Sequence, residues 1–130
     1  MINNYLKILM NWSDFDSRTS RKTYWNFVLV DIIITLIFIV LTLITFLRML
    51  TFLGMLILII ECIYGLVILI PRLSAGVRRL HDIGKSGYYI LWSLIPILGK
   101  IYLLYLYVVE GEKKKNDYGD VPLDVKKRSD

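Results

Sequence analysis

A chain of 130 residues with a net charge of +5 has room for one domain, and 56% hydrophobic residues is high for a soluble protein of this size. The two figures agree if the charges gather at the ends of apolar segments. Such flanking charge points to anionic lipid headgroups as partners and away from nucleic acid.

The opening MINNYLKILMNW places Ile2, Tyr5, Leu6, Leu9 and Trp12 along one stripe, the pattern of a short amphipathic helix lying in a membrane interface. The polar, basic stretch SDFDSRTSRKTYW follows, with Ser and Asp as helix N-caps and Tyr24–Trp25 as an interfacial anchor. Residues Asn26–Leu47 then carry one charge, Asp31, and Leu50–Ile70 carry one, Glu61. The hairpin between them is tight, with Leu47 to Leu50 available and Gly54 as another place for the second helix to begin. That helix is expected to run past Pro71, kinked there, to about Leu80. Two glycines break the loop HDIGKSG, and a third apolar run, Tyr88–Val109, carries only Lys100. Each run reaches the ~20 residues that cross a hydrocarbon core of about 30 Å. All must be helical, since open strands leave their backbone unsatisfied in lipid. The first run does not read as a cleaved signal peptide, being too long for one and lacking a small-residue cleavage site. Cys62, the single cysteine, lies inside the second run and forms no internal disulfide.

The expectation is an all-α integral membrane protein: an N-terminal interfacial helix and three transmembrane helices, the last either crossing or re-entrant. Residues 1–24 form the interfacial segment, 25–109 the membrane domain and 110–130 a polar tail, solvated and partly disordered. Lys7, Arg18, Arg21 and Lys22 precede the first run; Arg48 stands alone in the hairpin; Arg72, Arg78, Arg79 and Lys85 surround the second loop. This asymmetry places the N-terminus and RRLHDIGKSG in the cytoplasm. Three crossings would then export a tail with six basic and six acidic residues. A re-entrant last run, broken at IPILG, would return it to the cytoplasm; crossing is the favoured course, because proline is tolerated in membrane helices.

The GKS in DIGKSG lacks the P-loop's first glycine, whose place Arg79 takes, and follows a membrane helix rather than a strand. His81 and Asp82 have neither a nucleophile nor further metal ligands beside them, so no enzyme, metal site or cofactor is expected. Capping the helix end suits them better. Arg18, Arg21, Lys22, Arg78, Arg79, His81 and Lys85 share one face and form a candidate phosphate or headgroup site, since guanidinium forks match phosphate.

Asp31, Glu61, Arg72 and Lys100 are ionisable groups in apolar runs and need partners. Asp31 lies about 9 Å beyond Trp25 and Arg72 about 9 Å inward of Arg78, so the two share a depth. Glu61 and Lys100, at roughly 26 and 18 Å from their loop ends, match less well.

RRLHD followed by GKSG and aromatics, then IPILG, resembles the bacterial family known as domain of unknown function 805. Tyr5, Leu6, Lys7, Phe15, Arg18, Arg21, Lys22, Tyr24 and Trp25 extend the likeness forward, and Asn116, Tyr118, Gly119 and Pro122 extend it backward. The Asp120-Val121-Pro122 step and the KKK run depart from the family's usual Gly-Pro ending. The resemblance implies a small multi-pass protein of the bacterial inner membrane and implies no activity. The leading functional expectation is a non-enzymatic membrane protein whose basic cytoplasmic face binds anionic lipid or a protein partner. A small oligomeric transporter or channel using the intramembrane acids, as a homo-oligomer or with a protein partner, and a headgroup enzyme using His81 and Asp82, are the alternatives.

Overall fold

The computed structural model describes residues 1–126, so Lys127 and Arg128 of the second basic run lie outside the described residues. The regular elements of the described residues are all helical: α1 (Ile2–Met10), α2 (Arg21–Leu47), α3 (Thr51–Asp82), a 3₁₀ segment (Gly87–Leu94), α4 (Leu98–Val108) and a last turn, α5 (Leu123–Lys126).

α2 starts where Ser20 accepts the amide of Thr23, an N-cap. It and α3 are long and apolar enough to cross a membrane, about 40 and 48 Å at 1.5 Å per residue. Both end in a Schellman motif. At the α2 end Leu50 N–H reaches the Thr45 carbonyl and Met49 N–H the Phe46 carbonyl, with Met49 at φ 53°. At the α3 end Lys85 bonds to Leu80 and Gly84 to His81, with Gly84 at φ 66°. α3 begins at Thr51 rather than Gly54, and it runs through Pro71 to Asp82.

α2 and α3 pack antiparallel along a seam. Thr45 closes on Gly54 near the hairpin, and the Phe38 and Tyr64 rings lie 5.8 Å apart further down. Around this hairpin most Leu, Ile and Val side chains face outward, the reverse of a soluble core and as lipid requires. The buried residues gather instead at the end holding Ser20 and Asp82.

α1 packs on α2 and α3. Of the expected apolar stripe Tyr5 is buried, stacked on Phe27 at 5.4 Å and joined in the core by Ile8, while Ile2, Leu6 and Trp12 are exposed.

The third apolar run is not the single continuous helix expected of a third transmembrane helix. Its 3₁₀ arm spans about 16 Å at 2 Å per residue, and α4 spans about 16 Å at 1.5 Å per residue. A turn at Pro96–Ile97 reverses the chain between them, with Ile97 at φ 62° and Leu98 N–H on the Pro96 carbonyl at 2.7 Å. Gly99 lies directly against the Trp92 carbonyl, so any Cβ there would collide. Both arms end beside the last turns of α3: Gly87 at Val77 and His81, Val109 at Arg79.

The tail, expected to be solvated, folds back as well. Glu112 N–H bonds the Asp82 carbonyl at 2.8 Å, and Asn116 and Gly119 exchange backbone bonds at 3.1 and 3.0 Å.

Candidate functional site

The loop before α2, the end of α3, the end of α4 and the tail converge on one carboxylate. Asp82 takes the Arg18 guanidinium on Oδ1 at 3.1 Å and the Arg79 guanidinium on Oδ2 at 2.6 Å. The three side chains are 1%, 0% and 4% exposed for Arg18, Arg79 and Asp82, so this triad is dry.

A guanidinium has five N–H donors, and Arg18 commits all of them. Its Nε donates to Asp82 Oδ1, and its Nη1 to the carbonyls of Lys114 at 2.8 Å and Gly119 at 3.2 Å. Its Nη2 donates to Asp82 and to the Glu112 carbonyl at 2.6 Å. Arg79 donates from Nε to the Tyr107 carbonyl at 3.2 Å and from Nη2 to the Val109 carbonyl. Each arginine therefore ties tail or α4 backbone to α3 through main-chain carbonyls. We call this arrangement the clasp.

Further contacts close the clasp from outside. The Asn116 amide donates to the His81 carbonyl at 3.0 Å and to Glu112 Oε2 at 2.8 Å. Tyr118 stacks flat on the His81 ring at 3.8 Å. The Asp124 carboxylate accepts from the hydroxyls of Ser20 and Thr23, placing a negative charge at the N-terminus of α2 where the helix dipole favours it.

The seven residues expected to hold a phosphate separate into two groups. Arg18 and Arg79 are removed from that site, because their forks are spent on Asp82 and backbone carbonyls and neither reaches solvent. Arg78 is also buried, donating to the Ser74 carbonyl at 3.3 Å and lying 3.8 Å from Asp14. Burial raises the Asp14 carboxyl, but hydrogen bonds from Ser17 and Asp16 and the Arg78 charge outweigh it and hold Asp14 below the usual carboxylate range. His81 is buried under Tyr118, with Nδ1 unbonded among the described residues. Arg21, Lys22 and Lys85 remain exposed; Arg21 donates to the Val108 carbonyl at 3.1 Å and Lys85 lies 5.6 Å from the Tyr89 ring centre.

Beside the clasp opens a cleft of about 1010 Å³ whose cationic lining includes Arg21, Lys22 and Lys113 to Lys115. The three tail lysines are exposed and were not among the expected site residues. The KKK run was their signal, read as a solvated tail.

Of the intramembrane charges, Asp31 and Arg72 meet. Arg72 Nε lies 2.7 Å from Asp31 Oδ2 and Nη2 lies 3.1 Å from Oδ1. Sequence reasoning missed two further members: Tyr64 donates to Asp31 Oδ1 at 2.6 Å, and the Tyr5 hydroxyl lies 3.2 Å from that of Tyr64. α1 is thereby bonded into the same network. Glu61 and Lys100 do not meet, and among the described residues neither has a hydrogen bond or ion pair.

The two apolar hairpins, the buried charge triad and the tail folded over it define a class: small helical proteins with two helices long and apolar enough to cross a membrane. The family model described as "Protein of unknown function (DUF805)" matches residues 12–120, and the chain belongs to that family. Inner membrane protein YhaI of Escherichia coli K12 is 35% identical over 118 residues, covering 91% of this chain and 93% of that protein. Inner membrane protein YhaH of the same strain is 33% identical over 118 residues, covering 91% and 94%. No solved structure matches the chain.

Proposed function

We propose that this is a non-enzymatic membrane protein that presents a folded, basic cytoplasmic face to anionic lipid headgroups. On this reading the last apolar run is a re-entrant hairpin, and the N-terminus, the loop at 83–86 and the tail share the cytoplasmic side. The Lys and Arg asymmetry supports that orientation. The observation that carries the proposal is the division of cations at this end. Arg18, Arg78 and Arg79 turn inward, whereas Lys22, Lys85, Lys113, Lys114 and Lys115 remain exposed around the clasp. A cation near an anionic membrane surface contributes about 1 kcal/mol. The clasp's role is then to hold the tail, and with it the KKK run, beside the membrane instead of leaving it free in solution.

The test is retention of phosphatidylglycerol by purified protein, read by native mass spectrometry. Changing Lys22, Lys85 and Lys113 to Lys115 to Gln is expected to lower retention at least about tenfold without altering the fold, since all five side chains are exposed. Unchanged retention would refute the basic face as a lipid contact.

A further inference from the structure

A second cleft, of about 410 Å³, lies between α1, the loop before α2, Arg78 of α3 and the tail. Arg78 differs from Arg18 and Arg79 in what it leaves unused. Its side chain is 5% exposed, yet Nε and Nη2 make only long contacts, 3.3 Å to the Ser74 carbonyl and 3.5 Å to the Ser74 hydroxyl. Nη1 has no hydrogen bond among the described residues. Its counter-charge, Asp14 Oδ2, is 3.8 Å away and already accepts from the Ser17 hydroxyl. A guanidinium held out of water with donors to spare is costly until an acceptor takes them.

The rest of the lining is mixed in charge. Lys7 comes from α1 and Asp120 from the tail; both are exposed, and neither side chain is hydrogen-bonded or ion-paired among the described residues. Arg18 and Asp124 also line the cleft but are taken, Arg18 by Asp82 and carbonyls, Asp124 by Ser20 and Thr23. Spare donors at Arg78 and Lys7 therefore stand in one cleft with a spare acceptor at Asp120. A lone anion would be opposed by Asp14 and Asp120, and a lone cation by Arg78 and Lys7. A ligand carrying both charges meets neither conflict. α1 favours a lipid as its source: Leu6 and Met10 stand one position before Lys7 and Asn11, which line the cleft, and with Ile2 form a bare apolar row where acyl chains can lie.

We propose that this cleft binds a phosphoethanolamine headgroup, its phosphate on Arg78 and Lys7 and its ammonium on Asp120. Phosphate suits both the guanidinium fork and the lysine point charge. The site takes a zwitterion, whereas the exposed lysines of the basic face take net negative lipid, so it stands independently of that reading. The clasp builds one wall of it, since Arg18 holds the Gly119 carbonyl beside Asp120.

The test uses full-length protein taken from vesicles of equal phosphatidylethanolamine and phosphatidylglycerol, with each retained lipid counted by native mass spectrometry. The parent should retain phosphatidylethanolamine. Lys7→Gln and Asp120→Asn, both at exposed positions, should each lower that retention about twofold to fivefold. Arg78→Gln should lower it about tenfold. Asp120→Asn should leave phosphatidylglycerol undiminished, and changing Lys22, Lys85 and Lys113 to Lys115 to Gln should leave phosphatidylethanolamine undiminished. Displacement by soluble glycerophosphoethanolamine would support the site with a free headgroup compound as its ligand; retention in its presence supports the site with the lipid. A parent without phosphatidylethanolamine, or retention unchanged in either Lys7→Gln or Asp120→Asn, would overturn the proposal. So would an Asp120→Asn loss that falls equally on both lipids.

Discussion

Arg18 donates five ways, to one carboxylate and three tail carbonyls besides, and no other cationic side chain can copy that geometry. Lysine keeps the charge but offers three donors from one point. Arg18→Lys should therefore release the tail while leaving α2 and α3 in place, measured as faster proteolysis after Lys113 to Lys115. Asp82→Asn leaves two buried guanidiniums short of their counter-charge and should destabilise the protein by about 3–5 kcal/mol in a thermal melt. Asp31 and Arg72 form a second pair, so Asp31→Asn and Arg72→Gln should each lower stability, with the double variant milder than the sum. Additive losses would show the 2.7 Å contact to be energetically idle. Depth counting along two helices sufficed to match these two residues from sequence. It did not find Tyr5 or Tyr64, because a tyrosine in an apolar stripe reads as core or anchor. Nor did it foresee the burial of Arg18 and Arg79, since their partners are mostly backbone carbonyls, which leave no mark in a sequence.

Elements were legible in proportion to how local their determinants are. Apolar length alone defines α2 and α3, and Gly84 announces the end of α3 because the αL position suits glycine. The same motif ends α2 with Met49, a residue that signals nothing. The third run misled because hydropathy does not distinguish one crossing from two half-length arms. Pro96 and Gly99 were present, but proline is also compatible with a crossing helix. What decides is the contact of Gly99 with the Trp92 carbonyl, a close approach that only glycine allows. Gly99→Ala should force the arms apart; the expected readout is loss of the Trp92–Tyr102 edge contact, now 5.0 Å, as a shift in tryptophan fluorescence. Gly111 is tight in the same way against the Asp82 carboxylate, and Gly111→Ala should resemble Asp82→Asn in the thermal melt.

At the scale of the molecule, one buried triad ties four chain segments to a single end of the α2–α3 pair. That end carries the buried charge and the exposed lysines, and the other end carries only Arg48 and a tight turn. In this arrangement the tail lies at the end of the pair from which α2 departs, and the proposed re-entrant last run predicts that both lie on one side of the membrane. Membrane-impermeant maleimide on intact cells reads this directly, using single cysteines in a Cys62→Ser background. Ser17→Cys, Ser86→Cys and Lys115→Cys should all be protected from outside and all react once the cells are opened, while Met49→Cys should react from outside. Labelling of Lys115→Cys on intact cells, with Ser17→Cys and Ser86→Cys still protected, would put the tail across the membrane from Arg18 and contradict the clasp.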